Sequence, residues 1–574
     1  MSRVASRWCA LALLAGHLAL VVGNIWVHSD TLYESMHLAS GIVAWRTGRL
    51  DAYRVNPPLV RMLAALPATL AYSEAELPLV DDPRALRSEF GLGVQILKRL
   101  RRDLDILLIW GRLACLPFAL VGAVACWRWA RAMAGEAAGL VALALWCLSP
   151  GVLSYGALTL TDGPAAACTV LAGWAYYTWL VHGEAHRAFC AGLALGTACL
   201  AKFTCLILVP LFGLAWLWHA WQQRRAMHAP ATRPSWRQLL LLYGVALLLV
   251  NTAYGFEGTF RPLGRYAFVS LRLGAPRLDT KVVTTGNRFA GTPLGWIPVP
   301  LPALYVDGID LQWRDCDSPS RCFLAGRWLP NGVWYCYLYG LAASAPLGHW
   351  AAGLLAGVCA LWRWREQLGA ARLTAPAMAL AILALVSCEP AMCEHLRYVL
   401  PAAGPAFVWV ASTLCRPGSH LRLRCWGAGA CLLASAASVL WHYPHTLWYY
   451  NELVGGPLGG IRLLGQANSG HDRRFLERWL AAHPEARPFY TDMLTDLLPR
   501  EAWAEGVERI PEGSLPPGWY GVRFMAHFLE PPLYPQLQRA RLVGRAGYSI
   551  GIYYLSPAEG RRPREEADGA KQRQ

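Results

Sequence analysis

Thr161-Asp162-Gly163-Pro164 stands between two apolar runs, Ala137–Leu158 and Ala165–Leu180. A second acidic stretch, Tyr33-Glu34-Ser35-Met36-His37, follows the apolar run Trp8–Trp26. A carboxylate beside hydrocarbon is costly and is kept for pairing or for function. Runs of this length, repeated along the chain, decide the fold class: a polytopic α-helical membrane protein. About eleven stretches approach the spanning length of roughly 20 residues. They centre near Leu18, Phe118, Leu145, Leu171, Leu195, Phe212, Val245, Leu355, Ile382, Phe407 and Leu433. The first is followed by Trp26-Val27-His28-Ser29-Asp30, which offers no small-residue cleavage site, so it reads as a retained helix.

Composition agrees. The 574 residues are 55% hydrophobic and 16% charged, with a mean hydropathy of +0.28. The net charge of +16 raises the question of nucleic acid, but its distribution argues against that partner. Arginines recur in alternate short loops: Arg3 and Arg7; Arg128 and Arg131; Arg187; Arg224, Arg225, Arg233 and Arg237; Arg363, Arg365 and Arg372; Arg416, Arg422 and Arg424. This is the positive-inside pattern, and it predicts a cytoplasmic N-terminus. An odd number of spans then places the C-terminus, both acidic motifs and the long segments 28–103 and 254–331 on the other side.

The expected organisation is a transmembrane part over 1–445 with outer loops 28–103 and 254–331. A small α/β domain over 446–560 and a charged, disordered tail over 561–574 follow. Within the first loop, His37–Leu50 and Pro58–Tyr72 have the spacing of interfacial helices, separated by Asn56-Pro57-Pro58. The second is rich in Gly, Pro and aromatics, as functional loops are. In the C-terminal part, Asp472–His483 reads as an amphipathic helix. Arg487–Thr491, Trp519–Met525 and Ala546–Tyr554 read as strands. Most of the 17 cysteines sit in apolar runs. Cys316 with Cys322, and Cys388 with Cys393, fit disulfides in an oxidising compartment or free thiols equally well.

Five ionisable groups fall at span ends on the same side. Glu34 and His37, three apart, share a helix face. A carboxylate there suits deprotonation of a hydroxyl, with His37 orienting an acceptor or binding phosphate; an interfacial cap fits equally. Asp162 or Thr161 suits capping of the following helix, where a carboxylate also stays ionised. Lys202 and Arg397 suit snorkelling to the interface, or holding an anionic phosphate. Asp307, Asp310 and Gln312 are further acceptors in a loop. Glu34 and Asp162 are also of the type that holds a divalent cation, so metal need stays open. No Walker loop, dinucleotide fingerprint, Cys/His zinc spacing or nucleophile elbow is apparent, and nothing resembles a cytoplasmic domain for a soluble nucleotide donor.

Taken in order, several stretches resemble a known family. They are Glu34–Gly41 (ESMHLASG), Tyr53–Leu59 (YRVNPPL), Leu160–Ala165 (LTDGPA), Ala201–Thr204 (AKFT) and His395–Pro401 (HLRYVLP). Tyr450–Pro457 (YNELVGGP), Pro517–Tyr520 (PGWY) and Gly547–Ile550 (GYSI) complete the series. The chain resembles the GT-C membrane glycosyltransferases, in particular the protein-mannosyltransferase and aminoarabinose-transferase group of glycosyltransferase family 39. The resemblance implies inverting transfer of a sugar from a polyprenyl-phosphate donor to a hydroxyl of a protein, glycan or lipid. That would occur on the outer face of a bacterial cytoplasmic membrane. It implies Glu34 as base, Asp162 as second acid, and Arg397 with Tyr398 and Lys202 around the lipid phosphate. Three places depart from the family pattern: Tyr33, where an aspartate is common; Ser344, where a basic residue is common; and Asn468–Asp472 (NSGHD), where relatives often carry an Asn followed by an Asp-Trp-Gly-Gln-Asp stretch. The competing readings are a lipid-linked sugar transporter or flippase, and an inactive scaffold of the same fold.

Overall fold

The computed structural model describes residues 2–82, 85–100, 103–225, 233–274, 285–317, 321–364, 368–389, 396–464, 471–493, 506–527 and 532–557. The tail 561–574 and Cys393 lie outside them.

Every one of the eleven expected centres falls in a helix. Among the described residues six helices are long and apolar enough to cross a membrane: Val4–Val27, Leu104–Ala134, Phe203–Arg225, Trp236–Ala253, Ala370–Ser387 and Leu421–His442. A seventh forms if Cys336–Ser344 and Leu347–Trp362, bent by 115° at their junction, count as one. Pro346 stands at that junction with extended backbone on either side of the break. A proline removes a helix N–H and pushes its predecessor out of the helical region. The other four centres lie in helices that are short, such as Glu136–Cys147 and Ala403–Leu414, or diluted by polar and small residues, such as Asp162–His182. These helices are buried among neighbours, so their apolar length is set by protein packing as well as by lipid.

Small residues let the helices approach. Gly192, on the helix Ala185–Ala201, faces Trp236–Ala253; a Cβ there would stand 2.4 Å from the Leu242 carbonyl oxygen. Gly196, four residues on, meets Ala246 in the same way, a small-x₃-small contact. Gly192→Ala is therefore expected to force the two backbones apart at a cost of about 1–3 kcal/mol. Gly16→Ala, which meets nothing within 4 Å, is the neutral control. Thermal unfolding of the two variants in one detergent checks this.

The segment 28–103 carries helices Leu32–Thr47, Leu59–Ala71 and Ser88–Arg99. The first two overlap the expected helices His37–Leu50 and Pro58–Tyr72. Buried Arg61 ties the turn between them by donating to the Leu50 and Asn56 carbonyls at 3.0 and 2.6 Å. The segment 254–331 contains the helix Ala303–Asp317 and a hairpin, Cys322–Leu324 with Arg327–Leu329. Cys322 Sγ lies 3.8 Å from Cys336 Sγ, a pairing the sequence reading did not anticipate.

Beyond the last span, Tyr450, Ile461 and Leu464 pack in the main helical core. The helix Arg473–Ala482 then covers a five-stranded sheet. Its order is Val507–Arg509, Phe489–Thr491, Gly518–Arg523, Ile550–Leu555, Arg541–Ala546. The first two pairings are parallel, the others antiparallel. The run Ala546–Tyr554, expected as one strand, breaks into a hairpin at Gly547, whose φ is +61°. Leu476 and Leu480 pack on Phe489 and Ile552. Arg473 reaches Asp105 at 2.9 Å, and Arg474 donates to the Trp26 carbonyl at 2.6 Å, so this part is docked on the first two spans.

Candidate active site

A polar cavity of about 240 Å³ opens where helix ends meet. Asp162 enters it from the first turn of Asp162–His182. Lys202 enters from the break between Ala185–Ala201 and the 3-10 turn Phe203–Ile207, where its backbone is extended. Arg397 and Tyr398 come from the 3-10 segment Leu396–Ala402. Tyr33 and His37 come from Leu32–Thr47, and Gln312 and Asp315 from Ala303–Asp317.

Asp162 is the centre of charge. Lys202 Nζ lies 2.5 Å from its Oδ1, and Arg397 Nε 3.8 Å from its Oδ2. All three are buried. The two cations are walled by aromatic faces: Arg397 stands 4.7 Å from the Tyr33 ring centre and Lys202 Nζ 4.4 Å from that of Tyr398. Ring faces attract cations, more strongly when both are desolvated. Two cations thus face one carboxylate, leaving an excess of positive charge that suits an anionic ligand. A polar relay borders them. Thr161 Oγ1 donates to Asn56 Oδ1 at 3.3 Å, Asn56 Nδ2 donates to Tyr53 Oη at 3.1 Å, and Tyr53 Oη lies 3.3 Å from His37 Nε2. Arg87 closes the rim on Asp315 at 2.6 Å.

Glu34 is not part of this cavity. It is fully buried behind it. Arg112, from the middle of Leu104–Ala134, donates to both its oxygens, Nε to Oε1 at 2.8 Å and NH2 to Oε2 at 2.7 Å. The amides of Thr31 and Thr159 donate to it as well, at 2.9 and 3.1 Å. Burial alone would raise this carboxyl; the Arg112 guanidinium and those donors outweigh it and hold it below its ordinary value. The remaining Arg112 N–H groups go to the carbonyls of Ile25, His28 and Ser29 at 3.2, 2.9 and 2.8 Å. All five guanidinium donors are therefore used. Both oxygens of Glu34 are likewise occupied by donors.

Asp162, Lys202, Arg397, Tyr398 and His37 are thus brought together, and Glu34 is set apart. Gln312 lines the cavity, whereas Asp310 accepts the Val269 and Ser270 amides at 2.7 and 3.1 Å and serves the loop. Sequence reading missed Tyr53, Asn56 and Arg87 as cavity residues. It also missed Arg112, whose signal was there: an arginine inside an apolar run demands a buried partner.

Residues 109–252 match the family model described as dolichyl-phosphate-mannose-protein mannosyltransferase. No curated protein matches the chain. Among solved structures, apo ArnT from Cupriavidus metallidurans is 14% identical with a TM-score of 0.44, covering 98% of this chain and 100% of that one. The same protein bound to undecaprenyl phosphate gives 14% and 0.44, over 96% and 99%. The Saccharomyces cerevisiae Pmt1-Pmt2 complex bound to its sugar donor gives 16% and 0.35, over 45% and 34%. The family match covers the stretch that holds Arg112, Asp162 and Lys202, and over it the chain is protein-mannosyltransferase-like, as the sequence motifs imply.

Proposed function

We propose that the chain transfers a sugar from a polyprenyl-phosphate donor to a hydroxyl acceptor, with Asp162 as base. The observation that carries this is the cavity's charge pattern: one buried carboxylate bracketed by Lys202 and Arg397 and flanked by aromatic rings. The donor phosphate replaces Asp162 as the partner of the two cations. Lys202 holds it as a point charge and Arg397 through its planar fork. The released Asp162 carboxylate accepts the acceptor proton. The acceptor oxygen bonds to the anomeric carbon from the face opposite the phosphate, and the carbon–oxygen bond to phosphate breaks. The configuration inverts, and the electron pair leaves on phosphate, where fixed cations stabilise it. His37, held by Tyr53, orients the acceptor. Glu34 contributes rigidity rather than chemistry. By the arginine pattern the cavity faces away from the cytoplasm, across a bacterial inner membrane.

Binding of sugar-free polyprenyl phosphate to purified protein in nanodiscs tests the assignment of the cations. Arg397→Gln is expected to weaken binding by about 10–100-fold, the loss of a charge-assisted contact. Unchanged affinity in a folded Arg397→Gln variant removes the phosphate site from this cavity.

A further inference from the structure

A second cluster lies where the first span, the last span and the C-terminal sheet meet. His28 follows the helix Arg3–Val27, His445 follows Leu421–His442, and Asp472 precedes Arg473–Ala482. His28 Nδ1 and His445 Nδ1 each stand 3.8 Å from Asp472 Oδ1. The three ligand atoms lie within 4.8 Å of one another.

Their hydrogen bonding fixes which atoms are bare. His28 Nε2 lies 2.9 Å from the Pro444 carbonyl oxygen, so it carries the proton and Nδ1 presents a lone pair. Asp472 Oδ2 accepts the Tyr548 and Ser549 amides and the Ser549 hydroxyl at 3.0, 2.9 and 2.7 Å, which turns Oδ1 toward the two rings. His28 Nδ1, His445 Nδ1 and Asp472 Oδ1 are all buried without a hydrogen-bond partner. His28 and Asp472 are 2% and 1% exposed. At 3.8 Å the imidazoles and the carboxylate are too far apart to hydrogen-bond one another. Orphaned buried acceptors are expensive, and three converging on one point call for a cation.

We infer that His28, His445 and Asp472 form a binding site for a divalent ion of the zinc class, which clamps both membrane ends to the C-terminal sheet. Two imidazole nitrogens and one carboxylate oxygen are a common zinc set. Tetrahedral ligands at roughly 2.0–2.2 Å stand about 3.3–3.6 Å apart, so the two histidine–carboxylate separations of 3.8 Å close by a few tenths of an ångström, and the two imidazole nitrogens, within 4.8 Å of each other, by at most about 1.5 Å. The surroundings supply the supports such sites use. The Pro444 carbonyl orients His28, and three donors orient Asp472. The rings of Phe475 and Tyr548, 4.5 and 4.8 Å from His445, exclude water. Gly547 is required beside it, since a Cβ there would meet the Asp472 carboxyl at 2.4 Å.

The full chain in detergent, loaded with zinc, desalted and analysed for metal, is expected to retain about one zinc ion per chain. EDTA should lower its unfolding temperature. His445 makes no side-chain hydrogen bond that the fold needs, so His445→Ala is the informative variant. It should weaken zinc retention by at least about tenfold and make the unfolding temperature insensitive to EDTA. Cobalt(II) on the wild type should give the intense visible bands of a tetrahedral nitrogen–oxygen site, a readout independent of any variant's folding. Wild-type protein that holds neither zinc nor cobalt overturns the inference. So does zinc held equally by wild type, His28→Ala and His445→Ala. Neither result bears on sugar transfer, which is read from labelled product.

Discussion

Asp162→Asn is expected to lower the proposed sugar transfer by about 10²–10⁴-fold, the range for loss of a positioned general base. The variant keeps the size and hydrogen-bonding shape of the side chain but cannot take a proton. It also frees Lys202 from a carboxylate 2.5 Å away, so donor affinity should be retained or improved. This split separates a base from a structural group, since a structural loss would weaken binding and turnover together. Turnover and donor affinity of the same preparation check it. Equal turnover in wild type and Asp162→Asn assigns the chemistry elsewhere.

Glu34→Gln, in contrast, acts on the fold. The pair it breaks is buried on both sides, with relative exposures of 2% and 0% for the Arg112 and Glu34 side chains. Removing one partner leaves an uncompensated guanidinium among spans, at a cost of about 3–5 kcal/mol. Arg112 also gathers the carbonyls of Ile25, His28 and Ser29, so the exit of the first span should loosen too. Replacing both partners, Glu34→Leu with Arg112→Met, should cost less than the sum of the two single changes, because no charge is left stranded. The pH dependence follows from the lowered carboxyl. A depressed folded-state pKa gives stability that is present above the unfolded value, about 4.3. That stability is lost as pH falls through the folded value. Wild type should therefore lose stability in acid through this group, and Glu34→Gln should lack that component. Thermal unfolding of the five proteins (wild type, Glu34→Gln, Glu34→Leu, Arg112→Met and the double variant) across pH checks both statements. A Glu34→Gln protein as stable as wild type but inert in transfer would restore Glu34 as the base.

The helices were legible because apolar runs carry a strong signal, and so were the interfacial pair around Asn56-Pro57-Pro58. Helix length was less legible, because a run such as Glu136–Cys147 looks the same in sequence whether its neighbours are lipid or protein. At the site, position along the chain placed Asp162, Lys202 and Arg397 at the ends of apolar runs, and in the structure they converge. Glu34 lies apart from them, buried and outside the cavity lining, because a residue near a cavity in sequence can turn into the core. Which of the two it occupied depended on Arg112, 78 residues away. The substitution at Tyr33 had a visible consequence only in three dimensions: its ring stands beside Arg397 in the cavity, while Glu34, one residue on, turns inward. The His28–His445–Asp472 cluster was illegible for a related reason. Its ligands come from three distant segments, whereas sequence spacing reveals a metal site only when the ligands are neighbours.

The most direct test of the central claim is transfer by the purified wild type alone. It would be supplied in nanodiscs with radiolabelled polyprenyl-phosphate sugars and a membrane extract as acceptor, and the anomeric configuration of the product would be determined. Labelled, covalently modified acceptor is expected, with configuration inverted relative to the donor. Donor that binds and is never transferred, or a product of retained configuration, would contradict that claim.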